Sequence, residues 1–174
     1  MSRISDVTDR DQLPEAQRHC WDDIVASRGT VRGPFKVMLH SPELAGRAAH
    51  LGTYVRFESE ATLPAHVREL AALITARLLD CGYEYSAHKT QAAEAGVSAA
   101  VLAAIHEKRR PEEDGWLFDF VQQVIERHRV SAPTFAEAQQ RLSSQGLVEL
   151  VGTIGYYAFL AATLNTFEVE PTDV

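Results

Sequence analysis

The chain has 174 residues, with 17 Lys and Arg against 24 Asp and Glu, a formal net charge of -7. This length suits one domain that buries roughly 70% of its unfolded surface without a disulfide or metal staple. The acidic balance lacks the basic footprint of a nucleic-acid binder. No uninterrupted apolar run of about 18 residues predicts a membrane span, and Met1 to Asp6 hold no apolar signal core. Cys20 and Cys81 make no disulfide framework, so the expectation is a cytoplasmic protein with reduced thiols.

Helical periodicity runs through nearly the whole chain, and strand alternation is almost missing. The first dozen residues are polar and are expected to be loose, leaving residues 13–174 as a single helical domain. Pro14 opens a segment to about Ser27, closed by Arg28-Gly29. Ser41-Pro42-Glu43 places an N-cap before a first-turn proline, and that helix should reach about Phe57. Pro64 opens the next, with Leu70, Leu73, Ile74 and Leu78 as its apolar stripe. Tyr83 to Ala95 follows and stops at Gly96. Ser98 caps a short helix through Ile105, and Lys108 to Gly115 forms a charged loop. Trp116, an expected core anchor, starts a helix to about Arg129. Thr134-Phe135-Ala136-Glu137 reads as a capping box, with Gly146 ending that helix. The last helix, about Leu147 to Leu164, is apolar on most faces, which predicts burial in the domain or against a partner subunit. The expectation is an all-α bundle of about seven helices with no sheet.

The segment from Cys81 to His88 can carry chemistry. At 3.6 residues per turn, positions 81, 84 and 88 fall within an arc of about 60°, so a thiol, a carboxylate and an imidazole share one helical stripe. Glu84 and His88, four apart, can touch. The same pattern also fits a structural network or a surface pair. Zinc can take all three side-chain types, but neither His-Glu-x-x-His nor Cys-x-x-Cys occurs, so no metal and no cofactor is expected. His19, His40, His50, His66, His106 and His128 have no informative spacing, His50 being the first of them to consider as a site residue. Tyr83 and Tyr85 read as packing or pocket wall, Tyr156 and Tyr157 as core or interface, and Arg109-Arg110 as solvated loop.

Three segments resemble the carboxymuconolactone decarboxylase family, which includes the alkylhydroperoxidase D-like proteins. They are Leu63-Pro64 with Arg68-Glu69-Leu70-Ala71-Ala72-Leu73; Cys81-x-x-Glu84-x-x-x-His88-x-x-x-Ala92-x-x-x-Gly96-Val97; and Glu149-Leu150-Val151-Gly152 with Gly155-Tyr156-Tyr157 and Leu164-Asn165. The resemblance covers about residues 35–106 and 145–168. It implies the alkylhydroperoxidase D-like helical fold, a homo-oligomer (trimer or hexamer) and a small-molecule substrate, with Glu69, Glu84, His88 and Cys81 as site residues. The family's peroxidase branch carries Cys-x-x-Cys-x-x-x-His. Here Glu84 replaces the second thiol, so Cys81 has no resolving partner three residues away.

The resemblance therefore implies acid–base chemistry on a carboxylated lactone or related ring acid. His88 would carry the proton, Glu84 would orient it and raise its pKa, and Glu69 would be a second carboxylate in the same pocket, with Cys81 lining it. The alternatives are a thiol-dependent peroxidase or antioxidant using Cys81, and a non-catalytic oligomeric binding protein of the same fold.

Overall fold

The computed structural model describes residues 2–59 and 62–171. Among these the chain is all-α, with nine α-helices and no strand. They are α1 (Arg18–Arg28), α2 (Pro34–Met38), α3 (Pro42–Thr53), α4 (Ala65–Leu78), α5 (Gly82–Glu94), α6 (Ala99–His106), α7 (Gly115–Arg127), α8 (Ala132–Gln139) and α9 (Ser144–Phe167). Nine replaces the expected seven or so. The five residues of α2 are too few to show a 3.6-residue period.

Helix α4 is the axis of the molecule. Every residue from Val67 to Ala76 is buried, including Arg68, Glu69 and Thr75. The apolar stripe read from sequence is thus only part of its buried surface, and Leu78 is only half-buried. Four alanines keep the helix narrow, so α5, α7, α6 and α9 close around it. One core cluster joins Leu70, Leu73 and Ile74 of α4 to Leu117, Phe120 and Val121 of α7 and to Leu150 and Ile154 of α9. A second joins Ile24, Phe35, Leu39 and Ala45 of the N-terminal helices to Tyr156, Tyr157 and Leu160.

Helix α9 links the two clusters. Leu147, Leu150, Ile154, Tyr157, Ala161 and Leu164 are buried at alternating steps of three and four, the period of one helical face. Val148, Val151 and Phe159 lie exposed on the other side. By length and composition alone α9 could cross a membrane, yet 56% of its apolar window is buried in the protein, as for a core helix.

Three local expectations are corrected. The described residues 2–12 are not a free tail: Val7 is buried and its N–H bonds to the Lys36 carbonyl, and Arg3 N–H bonds to the Phe167 carbonyl. Helix α8 starts earlier than the Thr134 capping box, because Ser131 Oγ accepts from Thr134 N. Gly146 does not end a helix. It lies in the first turn of α9, whose N-cap is Ser143. A Cβ there would come 2.6 Å from the Thr62 carbonyl oxygen, so close backbone approach is what requires glycine.

Candidate active site

The site begins at the tight turn between α4 and α5. Asp80 adopts φ 52°, a left-handed conformation that aspartate tolerates, and reverses the chain within three residues. Helix α5 therefore runs back along α4, with Glu84 and His88 facing it. His88 is 3% exposed and Glu84 4%. His88 Nε2 lies 3.3 Å from Glu84 Oε2, as the i,i+4 spacing predicts. His88 Nδ1 lies closer, 2.7 Å, to Glu69 Oε2 of α4. Both ring nitrogens thus face carboxylates, and the ring edge packs T-shaped on Tyr157 at 4.6 Å between centroids.

The electrostatics favour the ion pair. Burial pulls the His88 pKa down, but hydrogen bonds and charge from Glu69 and Glu84 outweigh it, and the pKa is raised. Burial pushes Glu69 up, but the His88 hydrogen bond and charge, helped by Arg56 and Arg68, hold it below its ordinary value. Arg68 Nε approaches Glu69 Oε1 at 3.9 Å.

A cavity of about 60 Å³ opens beside this cluster, with Glu84 and His88 on one wall. Arg28, Arg32 and Arg56 line it from other elements, with Tyr83, Tyr156 and Tyr157. Arg28 ends α1, and Arg32 follows in the α1–α2 loop. Arg56 lies in a π-helical turn, Tyr54–Glu58, which continues α3 and is tied to α9 by Tyr54 Oη donating to Glu149 Oε1 at 2.7 Å. Such π-turns recur at functional sites. The Nε atoms of Arg28 and Arg56 are buried without a hydrogen-bond partner. Two buried guanidinium donors left open beside a cavity suit an anionic ligand. Glycines set the tyrosine positions: a Cβ on Gly33, at φ 54°, would come 2.6 Å from the Tyr83 hydroxyl, and one on Gly52 would run into that of Tyr156.

The sequence-predicted residues separate. Glu69, Glu84 and His88 come together. Glu69 sits behind the imidazole and does not line the cavity, whereas Glu84 does. Cys81 leaves the group, a correction to the shared stripe. It is the N-cap of α5, with extended backbone (φ -89°, ψ 93°), so the helical projection does not apply to it. Its side chain lines a different cavity, about 250 Å³, with Tyr85 and His106. Burial, reinforced by the Glu84 charge, pushes its thiol pKa up to about 11. Both cysteines are free. Tyr156 and Tyr157 are core residues that also wall the site, and Tyr83 does the same while Tyr85 turns to the Cys81 cavity. The three arginines had no signal in the sequence, because nothing in their spacing relates them.

Residues 42–112, which include Glu69, Glu84 and His88, match the family model for the Carboxymuconolactone decarboxylase family. The wider fold is that of the alkylhydroperoxidase AhpD core. The chain is similar to the AhpD-core structure of an uncharacterized peroxidase-related protein from Ralstonia eutropha JMP134, with TM-score 0.76, 18% identity and coverage of 99% of this chain and 93% of that one. It is also similar to the debrominase Bmp8, with TM-score 0.72, 15% identity and 99% and 91% coverage. A cysteine-to-alanine variant of Bmp8 in complex with 2,3,4-tribromopyrrole gives TM-score 0.74, 15% identity and 99% and 94% coverage. At these identities the likeness is one of fold. No curated protein matches the chain.

Proposed function

We propose that the protein is a carboxymuconolactone decarboxylase-like lyase that uses Glu84 and His88 on a small carboxylated lactone or related ring acid. The observation that carries this reading is the cavity, with buried His88 and Glu84 on one wall, Glu69 behind the imidazole, and three arginines among its other lining residues. The arginines receive the carboxylate and the ring oxygens. Loss of CO₂ leaves the electron pair of the broken C–C bond in an enolate, which the guanidinium groups stabilise. His88, protonated because two carboxylates face it, gives its proton to carbon from Nε2, on the cavity side. The roles of the two carboxylates are thereby exchanged relative to the sequence reading. Glu69, with the shorter bond at Nδ1, orients the ring, and Glu84 works at the cavity wall.

The cavity is smaller than the roughly 150 Å³ that holds a benzene ring. A ring substrate therefore enters by moving the long arginine side chains at its wall. The reading extends to a homo-oligomer, which the exposed apolar side chains of α3 and α9 (Leu51, Val148, Val151, Phe159) support. Light scattering tests that part alone, and a monomer at micromolar concentration defeats it.

The activity is tested by screening carboxylated lactones and ring acids for CO₂ release. Turnover that survives Cys81→Ser and collapses in His88→Ala is the expected result. Peroxide reduction lost in Cys81→Ser would replace the reading with a thiol peroxidase. Ligand binding without turnover would leave a binding protein. The buried thiol at about 11 and the glutamate at position 84 both weigh against the peroxidase.

A further inference from the structure

We propose a second site, a zinc-type divalent cation site formed by His19 Nε2, Cys20 Sγ and Glu43 Oε1 where the first turns of α1 and α3 meet. It is independent of the cavity above and of the activity assigned to it.

Three observations carry it. The first is the donor triangle. Cys20 Sγ lies 3.3 Å from His19 Nε2 and 3.9 Å from Glu43 Oε1, and His19 Nε2 lies 3.6 Å from Glu43 Oε1. A tetrahedral zinc with Zn–S near 2.3 Å and Zn–N and Zn–O near 2.0 Å needs ligand–ligand edges of roughly 3.3–3.6 Å. The three donors thus already form one face of such a tetrahedron to within about 0.4 Å.

The second observation is the imidazole's other nitrogen. His19 Nδ1 lies 3.1 Å from the Ala16 carbonyl oxygen. A carbonyl only accepts, so Nδ1 carries the proton and Nε2 presents its lone pair to the triangle. This is the outer partner that metal-ligating histidines keep. The third is the carboxylate's other oxygen. Glu43 Oε2 is held by Arg47 at 3.5 Å, which leaves Oε1 for the cation.

The chemistry suits zinc. Imidazole, thiolate and carboxylate are its ordinary ligands, and the soft thiolate disfavours magnesium or calcium. The thiolate and the carboxylate neutralise a divalent ion, so no net positive charge is placed at the two helix N-termini. His19 and Glu43 side chains are 58% and 52% exposed, so solvent reaches the fourth position. Cys20 is buried, which anchors the site to the core. The cation would staple α1 to α3 at one end. At the other, Arg28 Nη2 already donates to the Ala49 carbonyl at 3.0 Å. The staple therefore stiffens the two helices that lead to Arg28 and Arg56.

The test uses the full chain, stripped with a chelator and titrated with Co²⁺ and then Zn²⁺. One Co²⁺ per chain is expected, with tetrahedral visible bands and a thiolate-to-cobalt charge-transfer band that Zn²⁺ bleaches. Cys20→Ser should abolish the charge-transfer band, and Cys81→Ser should leave it intact. His19→Ala, at an exposed side chain that folding does not need, should weaken Zn²⁺ binding by at least about 100-fold, the upper end of what losing an outer partner alone does. A spectrum without a thiolate band, or one unchanged in Cys20→Ser, overturns the site. So does binding that survives His19→Ala and is lost in Glu84→Gln, which would place the cation at the other cluster.

Discussion

Cys81 and Glu84 stand three residues apart at the start of α5, and the protein treats them oppositely. Glu84 shares a buried cluster with His88 and Glu69, beside an arginine-lined cavity of about 60 Å³. Cys81 faces a larger cavity, about 250 Å³, with Tyr85 and His106, and is buried among Ala76, Tyr83, Ala161 and Leu164. The first surroundings stabilise charge, and the second suppress it. What separates them is one backbone change: Cys81 is extended at the N-cap and Glu84 is helical. Being near a reactive cluster in sequence therefore does not make a thiol part of it.

The largest effect that sharpens this contrast is catalytic. If His88 is the proton donor, His88→Gln lowers kcat on the lactone found by screening by 10²–10⁴, roughly the worth of a positioned acid or base. Cys81→Ser changes kcat by less than about threefold, within the small effect expected of a group outside the reacting cluster. Equal losses in both variants would erase the distinction between the two regions.

Next comes stability. Glu69→Ala leaves the buried His88 with only the longer Glu84 contact. Removing one partner of a buried pair costs about 3–5 kcal/mol, readable as a lower urea midpoint at unchanged slope. Cys81→Ser should shift the midpoint far less. A Glu69→Ala midpoint equal to wild type would show that the α4 carboxylate does not hold the imidazole.

The same pair sets a pH window. His88 has a raised folded pKa, so its contribution is complete below its unfolded value near 6.5 and is lost as pH rises through the folded value. Glu69 has a lowered folded pKa, so its contribution is complete above its unfolded value near 4.5 and is lost as pH falls through the folded value. Stability from this pair should therefore be flat between about 4.5 and 6.5 and decline on both sides. In His88→Gln the alkaline decline linked to this group should vanish, and its persistence would assign the titration elsewhere.

Smaller still is Gly52→Ala. Its Cβ would run into the Tyr156 hydroxyl. Overpacking of this kind costs about 1–3 kcal/mol and moves a wall of the arginine cavity without touching that of Cys81. A raised KM with a smaller change in kcat is expected. The smallest signal is alkylation of Cys81. At a pKa of about 11 its thiolate fraction at pH 7 is roughly 10⁻⁴, so iodoacetamide should label it very slowly until the chain unfolds. Rapid labelling of the folded protein would mean that its surroundings do not suppress the thiolate.

The sequence alone determined the helical class, most helix starts and the Glu84–His88 pair. Caps and i,i+4 contacts are local, and each is written in a few consecutive residues. It also supplied Glu69, but only through resemblance, since nothing local relates positions 19 apart. The tertiary structure decided the rest. It placed Glu69 behind the ring rather than in the cavity, and gathered Arg28, Arg32 and Arg56 from three segments around it. It turned Tyr156 and Tyr157 of α9 into a wall of the site, and brought Glu43 to His19 and Cys20, which spacing had left unrelated. These are contacts between helices, and they depend on how α1, α3, α4, α5 and α9 pack. A periodic stripe states which face of a helix is buried, but not which neighbour that face will meet.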